Sequence, residues 1–188
     1  MMISPLEKSL LTLAILVCLL PTALAQEPTF SPPPKRKYKH ADKIETTFDQ
    51  SKNLTTVRLG RMNVWTNAAF TNIIELTLFF TYPGQTPTTP KNIALGFLAR
   101  TADAHFTDKR DLTIKADKYV LKFGQMELLQ NTSYAGGSTQ VLATTIPYEV
   151  FLRIANAKSL ELKLRDNTYL ITDDQLEAIR DLASRTVP

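Results

Sequence analysis

Alternating apolar and polar residues run through most of this chain and constrain its fold more than any other feature. In IIELTLFFTY, residues 73–82, every second side chain from Ile74 to Tyr82 is apolar, and Glu75 and two threonines lie between them. SLELKLR, residues 159–165, repeats the pattern. A period of two places successive side chains on opposite faces of a β-strand, so these segments predict strands with one buried face.

Further β-rich segments are spaced along the chain, with turn residues between them. No βα alternation intervenes, and this favours antiparallel pairing. We therefore predict a mostly-β fold, an antiparallel β-sandwich or barrel of about seven to nine strands. The other candidate strands lie at 44–49, 54–65, 92–99, 112–123 (as a hairpin) and 138–145.

Two segments near the C-terminus have helical rather than strand periodicity. The first contains Pro147, which costs nothing in the first turn of a helix because that N–H has no intrahelical partner. The second follows Thr172, which forms a capping-box pattern with Gln175. The sequence predicts a short helix near 147–155 and a C-terminal helix near 173–184, each with an apolar face that packs on the sheet.

The same C-terminal region resembles a known group of proteins. It contains a short helix that begins with Ile-Pro, then NAKSLELKL, a turn and YLITDDQLEAIRDLA. This order is similar to the C-terminal part of small uncharacterised bacterial exported (periplasmic) β-sandwich proteins. The resemblance consists of packing residues, so it implies a fold and a compartment and assigns a role to no residue.

The first 25 residues have the pattern of a secretory signal peptide. Lys8 precedes an apolar run at residues 9–20, and an Ala-Leu-Ala triplet ends at Ala25. The run is shorter than the roughly 20 residues that a transmembrane helix needs. We expect cleavage after Ala25 and a periplasmic or secreted protein with no transmembrane segment. Cys18 would leave with the signal, which excludes disulfides and cysteine-ligated metals from the mature chain.

Residues 26–41 combine four prolines with a cluster of basic residues. This stretch is poor in aliphatic residues, so it has too little apolar surface to offset the entropy lost on ordering. We expect a disordered linker followed by a single domain, residues 42–188. The basic cluster equals the formal net charge of +4 and makes anionic envelope polymers or lipid headgroups candidate partners, whereas no nucleic-acid partner is expected. Its residues are Lys35, Arg36, Lys37 and Lys39.

Residues 100–111 hold the one histidine of the predicted domain together with three aspartates. Loop oxygen atoms bind hard cations, so a metal site is one interpretation. The spacing matches no EF-hand, however, and Lys109 and Arg110 would offset the negative charge, so a solvated connection between strands is the other interpretation. No nucleophile motif or carboxylate pair nominates a catalytic residue, and no cofactor is predicted. The candidate metal ligands are Asp103, His105, Asp108 and Asp111.

Two aromatic residues are candidates for a carbohydrate-binding platform. Trp65 ends an apolar strand, and Tyr82 lies at the base of a loop rich in proline and threonine. Together they would give the flat aromatic surface that carbohydrate-binding modules use. Large aromatic residues at the end of an apolar strand are more often part of the core, and we expect this of Trp65.

These patterns predict an exported, non-catalytic binding or structural module of the bacterial cell envelope, with an unspecified ligand or protein partner. The alternative is a metal-assisted hydrolase, which needs His105 and at least two of the three aspartates to face one pocket. A third class is assembly through an edge strand. That class requires a long unpaired strand that carries few charges.

Overall fold

The computed structural model of the protein describes residues 29–69 and 71–186. The predicted signal peptide, residues 1–25, lies outside these residues. Within them the chain forms ten strands and two helices. The strands are β1 (Ile44–Asp49), β2 (Leu54–Thr66), β3 (Ile73–Pro83), β4 (Asn92–Thr101), β5 (Asp111–Ala116), β6 (Tyr119–Gln125), β7 (Glu127–Tyr134), β8 (Gly137–Pro147), β9 (Leu160–Leu164) and β10 (Asn167–Leu170). The helices are α1 (Tyr148–Ala155) and α2 (Asp173–Ser184).

The strands form two antiparallel sheets that pack as an open sandwich. The larger sheet has the order β1-β2-β3-β4-β8-β7, and the smaller has the order β10-β9-β5-β6. The prediction of a mostly-β antiparallel fold is confirmed, and the sandwich alternative is the one that forms. Ten strands appear where about seven to nine were expected, because β7 and β10 show no clean alternation of apolar and polar residues.

The core lies between the sheets and continues under the two helices. The inward residues of β3 and β4 are almost fully buried, and so are Phe106 of the β4–β5 loop and Phe151 of α1. The capping box of α2 forms as predicted: Gln175 N–H donates to Thr172 Oγ1 at 3.3 Å, and Thr172 N–H donates to Gln175 Oε1 at 3.0 Å. Both helices begin within two residues of their predicted positions, so their local signals are sufficient to place them.

The structure places residues 29–42, which we call the N-terminal strap, against the domain and not apart from it. The ring of Phe30 packs edge-on against Tyr119, with centroids 6.4 Å apart, and Pro33 is buried. Further along, the Arg36 guanidinium lies 3.2 Å from a Glu177 carboxylate oxygen. The strap therefore differs from the detached, disordered linker that the composition predicts.

The most enclosed contact of the strap is a hydrogen bond with α2. His40 Nε2 lies 3.0 Å from Asp181 Oδ2, and the His40 side chain is only 7 % exposed. Burial alone would raise the pKa of Asp181, but hydrogen bonds from Arg185 and His40 outweigh burial and lower it. Asp181 is therefore held as a carboxylate in the folded protein.

The lowered pKa of Asp181 predicts a pH dependence of stability. A carboxyl whose folded pKa is lowered stabilises the protein above the unfolded pKa, about 3.9, and that contribution is lost as the pH falls through the folded value. We expect Asp181→Asn to lower the free energy of unfolding at pH 7 and the difference from wild type to shrink towards pH 3. Urea unfolding of both proteins at several pH values measures this. A difference that stays constant with pH would contradict the electrostatic origin.

Candidate ligand-binding cleft

A cleft of about 490 Å³ opens at one end of the sandwich, where the two sheets separate. The larger sheet contributes the end of β2, the start of β3 and the end of β4. The smaller sheet contributes the β9–β10 turn and β10, and the β4–β5 loop closes one side. The lining residues are Trp65, Asn72, Ile74, Thr101, His105, Phe106, Arg165, Asp166, Asn167, Thr168 and Tyr169.

Trp65 lies at the rim of this cleft with 41 % of its surface exposed. The pairing of β2 with β3 shifts between Asn63 and Trp65, where the extra residue forms a bulge. Bulges re-aim side chains, and this one pairs Trp65 with the inward-facing Ile74. Trp65 therefore faces the gap between the sheets at their open end, and the prediction that it is a core residue is wrong.

The aromatic partner of Trp65 is Tyr169, which comes from the opposite sheet. The two ring centroids are 6.4 Å apart with an interplanar angle of 54°. Tyr169 is only 5 % exposed, and this burial raises its pKa, against a smaller lowering by a hydrogen bond with Asn167. Tyr82 is buried elsewhere and packs beside Phe80. The Trp65–Tyr82 platform considered from the sequence therefore does not form.

The β4–β5 loop that closes the cleft is fixed by hydrogen bonds at its start and at its middle. Asn72 Oδ1 accepts from Ala102 N–H at 2.8 Å, and the buried Gln140 Oε1 accepts from Phe106 N–H at 2.9 Å. The phenyl ring of Phe106 is 1 % exposed. The loop is thus an anchored wall of the cleft, although many of its other side chains are exposed.

Arg165 joins the β9–β10 turn to the same loop. Its backbone has a φ of 55°, a left-handed value that non-glycine residues adopt infrequently. Its guanidinium donates to the main-chain oxygen of His105 at 2.6 Å, and its main-chain N–H donates to the main-chain oxygen of Asp111 at 2.9 Å. Its Nε also lies 3.5 Å from Asp166 Oδ2. Arg165 therefore sets the distance between two walls and keeps a partly exposed cation in the cleft.

The structure separates the four candidate metal ligands. His105 and Asp108 line a depression of about 260 Å³ together with Lys109 and Arg165, whereas Asp103 and Asp111 do not line it. Across residues 29–69 and 71–186, no group of three or more His, Cys, Asp or Glu side chains is arranged to hold a metal ion. The condition set for the hydrolase alternative, His105 with two aspartates in one pocket, is not met by this loop.

The basic cluster of the strap is divided between a bound arginine and exposed lysines. Arg36 pairs with Glu177 and lies over the Tyr38 ring, with its Cζ 4.8 Å from the ring centroid. The other three members are exposed to solvent. Arg36 is therefore used to fix the strap, and any anion would meet Lys35, Lys37 and Lys39.

Comparison with protein-family models, with curated proteins and with solved structures gives no match to this chain. Within the described ranges, neither helix has the length and apolar character needed to cross a membrane. The fold and the cleft together define a β-sandwich with a polar, aromatic-rimmed opening at one end.

Proposed function

We propose that this protein is an exported, non-catalytic binding module of the bacterial cell envelope, and that it holds a carbohydrate in the Trp65 cleft. The observation that carries the proposal is the exposure of Trp65 beside a row of polar side chains. Exposure of a tryptophan is unusual, because this side chain contributes strongly to stability when it is buried. Its position at a concave opening favours a ligand-binding role.

The chemistry of the cleft suits a sugar ring. One face of a pyranose presents C–H groups that pack on an indole face, and its edge presents hydroxyl groups that need hydrogen-bond partners. Trp65 supplies the flat apolar surface. Asn167, Thr168 and Asp166 of the β9–β10 hairpin supply amide, hydroxyl and carboxylate groups along the same opening. Arg165 adds a donor for an acidic sugar substituent.

Trp65 also makes the proposal directly testable, because it is the single tryptophan of the chain. We expect its fluorescence to change in intensity and wavelength when a ligand covers the indole. Soluble fragments of peptidoglycan and neutral oligosaccharides are the probes. A saturable change with at least one of them supports the cleft, whereas no response to any of them contradicts a carbohydrate ligand.

Calorimetry measures binding without a tryptophan signal, so it can compare the wild type with a variant that lacks Trp65. Trp65→Ala is expected to weaken binding of the responsive fragment at least about tenfold, since aromatic side chains at binding sites commonly contribute more than 1 kcal/mol. Phe48→Ala is the control, because Phe48 is similarly exposed at 39 % but lies on β1, outside the cleft. Equal affinities for wild type and Trp65→Ala would contradict the proposal.

A further inference from the structure

The strand β7 ends the larger sheet with a long and nearly uncharged edge. Within the described residues it pairs only with β8. Its one charged residue is Glu127, at its first position. Leu129 and Tyr134 are exposed large side chains, at 57 % and 53 %. An unpaired edge with few charges is a template for another strand.

The other three edges of the sandwich are protected in the ways that natural sheets use. β1 carries Glu45 and Asp49, and β6 carries Lys122 at the middle of the strand, whereas the single charge of β7 lies at its first position. β10 has only four residues. Charges and short length both discourage strand addition, so β7 is the edge that the sequence leaves open.

The turn between β7 and β8 shows which main-chain groups face this edge. Tyr134 pairs with Gly137 across a two-residue loop, and such a closing pair exchanges hydrogen bonds. Because bonded and non-bonded pairs alternate in an antiparallel ladder, Thr132 bonds to β8, whereas the N–H and C=O groups of Asn131 and Ser133 point away from it. The free edge therefore presents two residues with unused main-chain donors and acceptors.

We propose that β7 pairs antiparallel with β7 of a second copy of this chain, with Thr132 of each copy on the two-fold axis. This register places Asn131 opposite Ser133 of the other copy, so the unused groups of both strands meet in about four main-chain hydrogen bonds. It places Thr132 opposite Thr132, a favourable cross-strand pair, and Gln130 opposite Tyr134. Residues 130–134 are all exposed.

The lack of charge in the paired segment and the position of the bulge both favour a second copy as the occupant. The paired segment, residues 130–134, contains no charged side chain, and Glu127 lies beyond it. The bulge at Leu129, between the pairs of Leu128 and Gln130 with β8, ends the regular ladder just before this segment. Self-pairing thus uses only the regular half of β7. It joins the two larger sheets into one continuous sheet and leaves the Trp65 cleft unaltered, because that cleft contains no residue of β7.

Sedimentation equilibrium tests the pairing. The sample is the protein as it is purified from the cells that produce it. Wild type is expected to be dimeric at about 100 µM. Thr132→Lys would place two ammonium groups opposite each other at the axis and should weaken association at least about tenfold. Thr47→Lys is the matched control, an exposed threonine on the edge strand β1 of the same sheet, and should leave the dimer unchanged.

A cross-linking variant tests the register and does not rely on a disruptive substitution. Directly opposed residues in a non-bonded pair have Cβ atoms about 4.5–5.5 Å apart, close enough for a disulfide after a small adjustment. Thr132→Cys should form disulfide-linked dimers under mild oxidation much faster than the control Thr47→Cys. A monomeric wild type, an unchanged dimer in Thr132→Lys, or equal cross-linking of the two cysteine variants would each overturn the proposal. If Thr132→Lys does not fold, the cysteine pair alone decides.

Discussion

Phe106→Ala is expected to be the most destabilising single substitution proposed for this protein. The ring is 1 % exposed, and removing a fully buried phenyl group costs about 3–5 kcal/mol, because the transfer free energy is lost and a cavity is left behind. The effect extends to the cleft, since Phe106 anchors the loop that carries His105. Chemical denaturation measures the loss of stability.

The control for this substitution is Phe48→Ala, which removes the same ring from a site that is 39 % exposed. We expect a change below about 1 kcal/mol there, because surface substitutions leave little cavity. Phe106→Ala should also weaken binding of any carbohydrate that the wild type binds, whereas Phe48→Ala should not. A Phe106→Ala variant as stable as Phe48→Ala would show that the β4–β5 loop does not pack as described.

Deletion of the N-terminal strap, residues 29–42, is expected to lower the free energy of unfolding by about 2–4 kcal/mol. The loss combines the apolar contact of Phe30 with the enclosed hydrogen bond between His40 and Asp181. For a domain of this size the melting temperature should fall by about 5–15 °C. Differential scanning calorimetry of the deleted and complete proteins measures the change.

Point variants distinguish the stability contributed by the anchoring residues of the strap from that contributed by its exposed charges. His40→Ala and Phe30→Ala should each reproduce part of the loss. Lys37→Ala should not, because Lys37 is exposed and exposed charges contribute little. A deletion that leaves the melting temperature unchanged would instead restore the detached linker that the composition predicts.

The parts of the fold that sequence patterns could predict are those in which local signals act alone. Period-two alternation in β3 and β9 reflects one buried and one solvated face, and both strands form where the pattern predicts them. The capping box at Thr172 likewise depends on residues three apart in the chain. Such signals need no knowledge of distant partners.

The missed elements depend on partners that are remote in sequence. β7 mixes polar and apolar residues on both faces, so its alternation is weak, and the strand forms because β8 returns beside it through a tight turn. The strap binds through Phe30 and His40. Neither residue is aliphatic, so the low aliphatic content of the strap does not predict these contacts. Its acidic partners, Glu177 and Asp181, lie more than a hundred residues further along the chain.

The cleft was missed for a related reason. The exposure of Trp65 depends on the bulge that follows Asn63, and bulges have no clear signature in a single sequence. Tyr169, its aromatic partner, belongs to the other sheet, so their proximity follows only from the packing of the two layers. The sequence indicates a candidate site in the histidine-containing loop, and the structure makes this loop a wall of the cleft.

Chemical-shift mapping by NMR of the isotopically labelled protein, titrated with the carbohydrate fragment that changes Trp65 fluorescence most, tests the proposed binding site most directly. We expect the largest shifts at the Trp65 indole N–H, at Asn72 and His105, and along the β9–β10 hairpin from Arg165 to Tyr169. The amides of Lys35–Lys39 should stay unshifted. Shifts confined to that basic cluster, or spread over the surface without a maximum at the cleft, would contradict the proposed site.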